Sequence, residues 1–398
     1  MAERPTASKS KARPSNSRGR TQARRLTAEK KLSVGNTKRR SLEPAKTIGT
    51  TFQSRLSAKS TSSNSLQSRS PTQLAAERFL DVILDQGMRG IRKEFVTSVR
   101  PFVPKGSKLA WRILENGVKN RYEDVDLLDA SRVKLRNNHE TGKAHDDYIH
   151  GSYVKVHDDL IYICAQGPLP NTLHHFWLMV IQEKSKVILQ LCNFYEEGKE
   201  KCAEYFPSES EGNGWKSYGP VEVRVMDRTS NIPTMKKVTK TKIQVKFQGD
   251  VHEVLHILYG GWPDHCVADS VSCFREVHAL VHKIYDKRPI IAHCSAGVGR
   301  TGTFVATEMA LHRIITLHDL SFTLPELCHE LRNQRFKAIQ NDQQYVFVFR
   351  AVIEILVSQD ILDKSERVME FISEYDEFAA RKKEFREKAV KNSKNSTH

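Results

Sequence analysis

The sequence lacks any apolar run that approaches the roughly 18 residues which a membrane-spanning helix requires. No apolar segment follows the basic first residues, so a secretory signal peptide is not expected. The seven cysteines show neither a disulfide framework nor a C-x-x-C spacing. These absences argue against a membrane span and against a secreted disulfide-rich protein. They predict a cytoplasmic location, with the nucleus as the alternative.

Residues 1–72 are poor in aromatic residues and in acidic charge. They have no Tyr, Trp or Cys, and Phe52 is their one aromatic residue. They carry 17 Lys and Arg against 3 Asp and Glu, so this segment holds +14 of the formal net charge of +16. Such a segment cannot bury enough apolar surface to offset the entropy cost of ordering. We therefore predict a disordered, basic, Ser-rich arm over residues 1–72.

The role of this arm is open between two interpretations. Its dense positive charge can tether the protein to an acidic protein, an anionic lipid surface or a nucleic acid. The lack of interleaved aromatic residues weakens the nucleic-acid alternative, although Arg24-Arg25 and Lys38-Arg39-Arg40 loosely resemble a nuclear address. The other interpretation is a solvated tail that keeps the protein soluble or carries phosphorylation sites.

The remaining chain has nearly balanced charge and the pattern of one large α/β domain, which we assign to residues 73–360. Apolar patterns predict strands and helices, namely strands at Tyr162–Ala165, Val187–Leu191 and Val221–Val225 and helices at Leu74–Val99, Val271–Tyr285 and Tyr345–Val357. Internal repeats are not visible. For residues 361–398 we predict a charged amphipathic helical tail. Its apolar stripe is expected to dock on its own domain and consists of Val368, Phe371, Ile372, Tyr375, Phe378 and Ala379.

A short loop that joins a predicted buried strand to a predicted helix carries a thiol at one end and a guanidinium at the other. The strand is Pro289–Ala292, the helix is Thr303–Leu311, and the loop runs from Cys294 to Arg300 with two glycines inside it. The inward-turned N–H groups of such a loop and of the helix start can bind the oxygens of a dianion. This pattern therefore predicts a phosphate site.

The residues of this loop suit nucleophilic chemistry on phosphorus. The loop dipoles and the charge of Arg300 favour the thiolate form of Cys294, which is a strong nucleophile. Arg300 can bind two phosphate oxygens bidentately and remains charged at any working pH. Gly297 and Gly299 permit the close turn, and the Thr301 hydroxyl can donate to the sulfur and ease its departure.

Two other interpretations of the cysteine are weaker. An isolated cysteine is usually a small buried apolar residue, but a core cysteine needs no glycine-bearing loop around it. Zinc binding through the pairs His293-Cys294 and His265-Cys266 is disfavoured because neither pair belongs to a C-x-x-C or H-x-x-x-H motif. We therefore predict a metal-independent site that uses no cofactor.

The segment around Cys294 has the pattern His-Cys-x-x-Gly-x-x-Arg-Thr, and further motifs accompany it. In chain order these are Lys119–Val125, Asp147–Ile149, Gln166–Pro170 with Phe176-Trp177, Glu196–Cys202, Trp262–Asp264 and Gln340–Tyr345. In residues and order they resemble the tyrosine-specific protein tyrosine phosphatases of the non-receptor type with a single catalytic domain. The resemblance extends from Phe95 to Leu356 and implies a central mixed, twisted β-sheet flanked by helices.

The resemblance implies an enzyme that hydrolyses phosphotyrosine in partner proteins through a phosphocysteine intermediate on Cys294. Arg300 would bind the phosphate. Asp264 would act first as the general acid that protonates the leaving phenolate and then as the base. Gln344 would orient the attacking water with the help of Gln340.

Further residues would bind or position the substrate according to the same resemblance. Tyr122 would set the depth of the pocket, so that only a long aryl phosphate reaches the sulfur, and Asp124, beside Val125, would bind the peptide backbone. Glu196 and Lys201 would brace the catalytic arginine and the acid-bearing loop. The residues expected around the phosphate and in supporting positions are Ser295, Ala296, Gly297, Val298, Gly299, His293 and Trp262.

The chain departs from the family pattern at three positions. Cys266 and Ala268 stand where Gly and Pro are usual, and Asn341 stands where Thr is usual. None of these changes removes the nucleophile, the arginine, the acid or the glutamine. A binding module that captures phosphotyrosine without turnover is therefore the weaker alternative. A phosphatase of broader, dual specificity is a further alternative, against which Tyr122 argues.

Overall fold

The computed structural model describes residues 69–136, 142–212 and 214–395. The predicted arm over residues 1–72 therefore lies outside the described residues, except for its last four positions. Within the described ranges, no helix is both long enough and apolar enough to cross a membrane.

Groups of helices and groups of strands follow one another along the chain. The helices are α1 (Pro71–Glu94), α2 (Leu109–Arg112), α3 (Leu114–Gly117), α4 (Leu173–Gln182), α5 (Val271–Ile284), α6 (Arg300–Leu311), α7 (Leu324–Gln334), α8 (Asp342–Ser358) and α9 (Glu366–Asn395). The strands are β1 (Arg132–Lys134), β2 (Tyr148–His157), β3 (Leu160–Ala165), β4 (Val187–Gln190), β5 (Tyr195–Glu196), β6 (Lys199–Glu200), β7 (Lys216–Tyr218), β8 (Val221–Thr229), β9 (Val238–Phe247), β10 (Asp250–Tyr259) and β11 (Ile290–His293). The predicted helices at both ends of the domain are present as α1, α5 and α8.

Nine of these strands form one mixed sheet in the order β1-β2-β3-β11-β4-β10-β9-β8-β7. The four central strands β3, β11, β4 and β10 run parallel, and the flanking strands pair antiparallel. Strands β5 and β6 form a separate hairpin. The predicted fold class, a mixed central sheet flanked by helices, is confirmed.

The central strands are buried on both faces because helices cover them. Every residue of β4 and β11 is buried, as expected of parallel strands with apolar sequences. Rings on three helices lock the covering layer together: Phe274 of α5 lies 5.2 Å from Phe304 of α6 and 5.2 Å from Phe347 of α8. This layer fixes the start of α6, where Arg300 is the first helical residue.

The helix α9 packs against its own chain through the predicted apolar stripe. Val368, Phe371 and Tyr375 are at most 2% exposed. The Tyr375 ring lies 6.4 Å from the ring of Phe347 in α8, and the Glu374 carboxylate accepts a hydrogen bond from the backbone of Met88 at 3.2 Å. Most charged residues between Glu366 and Lys388 are exposed, which is the usual arrangement of an amphipathic surface helix.

The carboxyl ends of the parallel strands lie at one edge of the sheet, where open α/β sheets usually bind ligands. β11 ends at His293 and leads directly into Cys294. β10 ends at Tyr259 and leads into the segment with Asp264. β4 leads into the hairpin that carries Glu196. The topology therefore gathers segments that are distant in sequence around the end of β11.

Three histidines near this edge, His150, His256 and His293, are almost completely buried. Burial lowers the pKa of His150 to about 3 and that of His293 to about 4, and it lowers the pKa of His256 well below its usual value. A histidine in an unfolded chain titrates near ~6.5. The unfolded state therefore binds more protons than the folded state between about pH 6.5 and about pH 4, and stability is lost as the pH falls through this range.

We expect the free energy of unfolding to decrease when the pH is lowered from about 7 to about 5, by up to about 1.4 kcal/mol per pH unit for each of these histidines. The pKa of His282 is raised by its hydrogen bond to Glu308, so this residue opposes the trend only above about pH 6.5, where the folded state binds the extra proton. Urea-induced unfolding across this pH range measures the change. A free energy that stays constant or increases on acidification would contradict neutral buried histidines.

Candidate active site

The loop after β11 has a backbone that requires glycine at one position and is closely approached by a side chain at a second. Gly297 has φ +67°, and a Cβ atom there would overlap the carbonyl oxygen of Ala165 at the end of β3. A Cβ atom at Gly299 would overlap the side-chain oxygen of Gln340. The two glycines predicted from the sequence therefore allow close approach of the neighbouring strand and of the glutamine segment.

The carbonyl groups of this loop point outward and are hydrogen-bonded to the surrounding scaffold. The pairs are Gly167 N–H with Ser295 O (2.9 Å), Arg335 with Ala296 O (3.0 Å) and with Gly297 O (3.0 Å), and Ile339 N–H with Val298 O (2.9 Å). A loop that fixes its carbonyl oxygens outward presents its N–H groups inward as an anion-binding nest. The geometry of the loop therefore suits a phosphate group.

Arg335 supports this loop from inside the protein and was not found by sequence reasoning. It is 0% exposed and also contacts Ser152 Oγ at 3.2 Å and His150 Nδ1 at 3.1 Å. Burial lowers its pKa to about 10, so it keeps its charge at neutral pH. An arginine at the end of a helix belongs to no motif that the sequence makes visible, and only the fold shows which carbonyl groups it contacts.

Cys294 lies at the base of the loop and is 3% exposed. Its sulfur accepts a hydrogen bond from the backbone N–H of Gly297 at 3.2 Å. The buried hydroxyl of Thr301 has no hydrogen-bond partner in the described part of the chain, so the expected bond from Thr301 to the sulfur is not formed in this structure. Buried polar atoms without partners are rare and are typical of sites that bind polar ligands.

Arg300 is buried beside the loop and is held at its outer nitrogens. Nη1 donates to Glu196 Oε1 at 2.7 Å and to the carbonyl oxygen of Trp262 at 2.8 Å, and Nη2 donates to Asp264 Oδ1 at 3.0 Å. Burial alone would lower the pKa of Arg300, but the neighbouring Cys294 and Glu196 raise it above its ordinary value. The guanidinium is thus permanently charged and has a fixed orientation.

The segment that carries Asp264 lies against the site. Trp262 is 0% exposed and packs on the rings of Phe274 and Phe347, which anchors the segment in the core. The second carboxylate oxygen of Asp264 accepts a hydrogen bond from Lys201 Nζ at 2.7 Å. Burial raises the pKa of Asp264, but Arg300 and Lys201 outweigh it and the pKa is lowered overall. The carboxylate is therefore ionised at neutral pH in this conformation.

The three residues that depart from the family pattern are held in the structure by hydrogen bonds or by burial. The sulfur of Cys266 accepts a hydrogen bond from Arg386 of α9 at 3.3 Å, and Ala268 is buried. Asn341 caps α8 by accepting from the Gln344 N–H at 3.0 Å, a role that asparagine fills as well as threonine. Its amide group also donates to the carbonyl oxygen of His265 at 3.0 Å. Asn341 therefore joins the glutamine segment to the acid-bearing segment.

Gln340 and Gln344 both lie next to Gly299 of the loop. The side-chain oxygen of Gln344 accepts a hydrogen bond from the backbone N–H of Gln340 at 2.9 Å, which fixes the direction of the amide. Its Nε2 atom is buried and has no partner within the described ranges. A fixed amide beside the loop of Cys294 is an arrangement that could orient a small polar molecule.

The predicted recognition segment lies at the rim, and its residues differ in exposure. The Tyr122 hydroxyl is 2.8 Å from Ser295 Oγ of the loop. The Asp124 side chain is 74% exposed and pairs with Lys337 at 2.8 Å. Val125 is 4% exposed and therefore lies beneath the rim. Tyr122 and Asp124 are the two residues of this segment that a bound peptide could contact.

His293 precedes the cysteine and belongs to the supporting structure. Its Nε2 atom is 2.9 Å from the hydroxyl of Tyr205, which in turn donates to Gln190 Oε1 at 3.0 Å. The lowered pKa of this fully buried ring keeps it neutral. His293 therefore fixes the end of β11 without adding charge near Cys294.

A cysteine inside a loop with outward carbonyl groups, an arginine at the helix start and a carboxylate that faces it form a cysteine-centred candidate site on a mixed α/β scaffold. The sequence model described as protein-tyrosine phosphatase matches residues 116–354. Tyrosine-protein phosphatase non-receptor type 20 of Rattus norvegicus is 31% identical over 332 residues, which cover 79% of this chain and 74% of that protein. The chain belongs to the protein-tyrosine phosphatase family, and the resemblance inferred from the motifs is confirmed.

Two further relatives are much longer proteins, and one similar protein has a solved structure. The Lar-like tyrosine-protein phosphatase of Caenorhabditis elegans is 36% identical over 248 residues, which cover 61% of this chain. The chain spans only 11% of that protein and 18% of the human receptor-type tyrosine-protein phosphatase eta. A solved structure of PTPN18 in complex with HER2-pY1196 phosphopeptides has a TM-score of 0.63 and 28% identity, covering 71% of this chain and 99% of that chain.

Proposed function

We propose that this chain hydrolyses phosphotyrosine in proteins through a phosphocysteine intermediate on Cys294. The observation that carries the proposal is the convergence of three groups from distant segments. Arg300 follows the loop that begins at Cys294, and Asp264 lies within hydrogen-bond distance of the same guanidinium. The three groups supply a nucleophile, a phosphate ligand and a proton donor around one loop.

In the first step the sulfur of Cys294 attacks phosphorus, an S–P bond forms and the P–O bond to the tyrosyl group breaks. The loop N–H groups and Arg300 stabilise the charge on the phosphoryl oxygens as they move toward the transition state. Asp264, once protonated, transfers its proton to the leaving phenolate. The products of this step are the tyrosyl hydroxyl and a phosphocysteine.

In the second step water attacks phosphorus, the S–P bond breaks and inorganic phosphate leaves. Gln344 is proposed to orient this water through its fixed amide, and Gln340 lies on the same side of the loop. Asp264, which became ionised in the first step, takes the proton of the water. The enzyme then returns to its starting state.

Arg300 can offer the N–H groups of Nη2 to a phosphate, because among the described residues this nitrogen contacts only a carboxylate that can move away. Glu196 and the Trp262 carbonyl hold Nη1, whereas Nη2 is held only by Asp264 among the contacts of this guanidinium in the described structure. Exchange of the Asp264 carboxylate for a phosphate oxygen would leave Asp264 free to face the leaving group. Arg300 can bind a phosphate through parallel N–H donors after this exchange.

The proposed substrate class follows from the depth of the site and from a solved relative. Cys294 is buried beneath a rim that contains Tyr122, so a phosphate must be carried on a long side chain to reach the sulfur. PTPN18, whose structure resembles this chain, is described in complex with phosphotyrosine peptides of HER2. Phosphotyrosine has the length and the aromatic ring that suit such a rim.

The test of this substrate class is a comparison of kcat/KM on matched phosphotyrosine and phosphoserine peptides. We expect the phosphotyrosine peptide to be preferred strongly. Replacement Tyr122→Ala should lower kcat/KM on phosphotyrosine by up to about 10-fold, since an aromatic pair is worth up to about 1.5 kcal/mol. The decrease in kcat/KM should come mainly from a higher KM. The ratio of kcat/KM on phosphotyrosine to that on phosphoserine should also decrease.

Tyr122→Phe is the matched control because it keeps the ring and removes only the hydroxyl that contacts Ser295. It should retain most of the preference for phosphotyrosine. Equal rates on both peptides in the unmodified protein would support dual specificity instead. Capture of the phosphotyrosine peptide without release of phosphate would support a binding module and would overturn the proposed function.

A further inference from the structure

A cluster of two histidines and one glutamate lies away from the active site, between α5 and α6. His278 and His282 are one turn apart on α5, with ring centroids 4.6 Å apart. His278 Nε2 and His282 Nε2 each lie 2.9 Å from the carboxylate of Glu308, which is 3% exposed on α6. Residues four apart on a helix point to the same side, so both rings face this one carboxylate.

The hydrogen bonding of the cluster is incomplete. The carboxylate of Glu308 receives hydrogen bonds from Tyr162 at 3.0 Å and from His282. His278 is 93% buried, yet its Nε2 atom, although close to the carboxylate, makes no hydrogen bond of suitable geometry within the described residues. Both ring nitrogens and the Tyr162 hydroxyl thus converge on one buried carboxylate, an arrangement that a cation could share.

The three side chains form a common zinc-ligand set. Two histidines and one glutamate with a fourth, open position occur in zinc sites of proteins, and a pair of histidines four residues apart on a helix is a typical source of two ligands. The ligand atoms here all lie within 4.8 Å of one another. Tetrahedral ligands at about 2.0–2.1 Å from zinc are roughly 3.3 Å apart, so small side-chain shifts would complete the geometry.

The surroundings provide an entry path and an outer shell. His282 has a side chain that is 41% exposed and lines a cleft of about 1150 Å³ bordered by α5, α6, α8 and α9. The Tyr162 hydroxyl holds one oxygen of Glu308, as outer-shell groups often do for metal ligands. A hydrated ion could therefore reach the cluster from the cleft.

We propose that His278, His282 and Glu308 bind one divalent transition-metal ion of the zinc class, with the fourth position open to the cleft. The middle residues of the motif are Ala279, Leu280 and Val281, so it lacks the glutamate that would serve as a base beside the metal. The ion would join α5, which follows the acid-bearing segment, to α6, which begins with Arg300. It would take no part in the proposed phosphatase reaction.

The test uses the full chain with Cys294→Ser, because the thiolate of Cys294 could itself bind zinc. Titration calorimetry with Zn²⁺ should show one ion bound per chain, and Zn²⁺ should raise the unfolding temperature by mass action. Mg²⁺ and Ca²⁺, which prefer oxygen ligands, should have little effect. His282→Gln and Glu308→Gln should each weaken Zn²⁺ binding by about 100-fold or more, since even outer-shell changes cost up to that amount.

The matched control is the double variant His157→Gln with His312→Gln. These two histidines line the same cleft, with ring centroids 4.6 Å apart, but they lie outside the proposed ligand set. This variant should bind Zn²⁺ normally. His282→Gln changes a partly exposed side chain, so its unfolding without metal should resemble that of the parent. The proposal is overturned if Zn²⁺ does not bind, if His282→Gln binds it unchanged, or if the control loses it equally.

Discussion

Replacement of Cys294 by serine is expected to lower kcat on an aryl phosphate by at least about 10⁴-fold. The serine hydroxyl is not ionised at neutral pH, so it cannot attack phosphorus as the thiolate does. The change is small in volume and leaves the hydrogen-bonded loop and Arg300 in place. Steady-state release of phosphate measures the effect, and thermal unfolding shows that the variant is folded.

Binding should survive this replacement. The loop N–H groups and Arg300 still face the phosphate in Cys294→Ser, so a phosphotyrosine peptide should bind with a Kd within about 10-fold of the unmodified KM. Cys273→Ser is the matched control, because Cys273 is a buried thiol in α5 outside the loop. A serine variant that keeps a tenth or more of the activity, or a control that loses as much, would exclude Cys294 as the nucleophile.

Replacement of Asp264 by asparagine is expected to lower kcat on a phosphotyrosine peptide by about 10²–10⁴-fold, the range typical of a lost general acid. Asparagine keeps the shape but cannot donate a proton to the phenolate. The loss should be much smaller for an aryl phosphate with an acidic phenol, because that leaving group needs no proton. Asp269→Asn, which changes a neighbouring carboxylate paired with Lys237, should have little effect on either substrate.

The pH dependence should change in the same variant. Asp264 must be protonated to act as an acid, so kcat should fall as the pH rises through the pKa of Asp264 in the substrate complex. In this structure Arg300 and Lys201 lower that pKa, whereas a bound phosphate dianion would raise it by like-charge repulsion. The alkaline fall in kcat should disappear in Asp264→Asn. An equal loss on both substrates, or an unchanged pH profile, would assign the proton transfer to another group.

The sequence predicted the central parts of the site because they are local. The strand, the loop and the helix around Cys294 are contiguous, and their residue types have direct chemical meaning. Gly297 illustrates this, since a residue with positive φ between a strand and a helix favours glycine. The position of Asp264 was predicted only through the family resemblance, because nothing local to that aspartate distinguishes it from a turn residue.

The contacts that cross the fold could not be predicted in this way. Arg335 supports the loop of Cys294 from another segment, and Glu308 completes the histidine cluster from 26 residues beyond His282. His278 and His282 have the H-x-x-x-H spacing, but this pair was not predicted from the sequence, and its partner lies on another helix. The contact of Arg386 with Cys266 likewise depends on how α9 packs. Sequence patterns show which side of a helix or strand is apolar. These contacts depend instead on which helices and strands pack against each other.

The proposed phosphocysteine can be observed directly by rapid acid quenching. The protein with Gln344→Ala, in which the second step should be slowed, is mixed with a phosphotyrosine peptide, quenched within the first turnover and analysed by peptide mass mapping. The account predicts one phosphoryl group on the peptide that contains Cys294, present before phosphate release reaches its steady rate. Phosphate release with no phosphorylated Cys294 at any time, or a phosphoryl group on another residue, would contradict it.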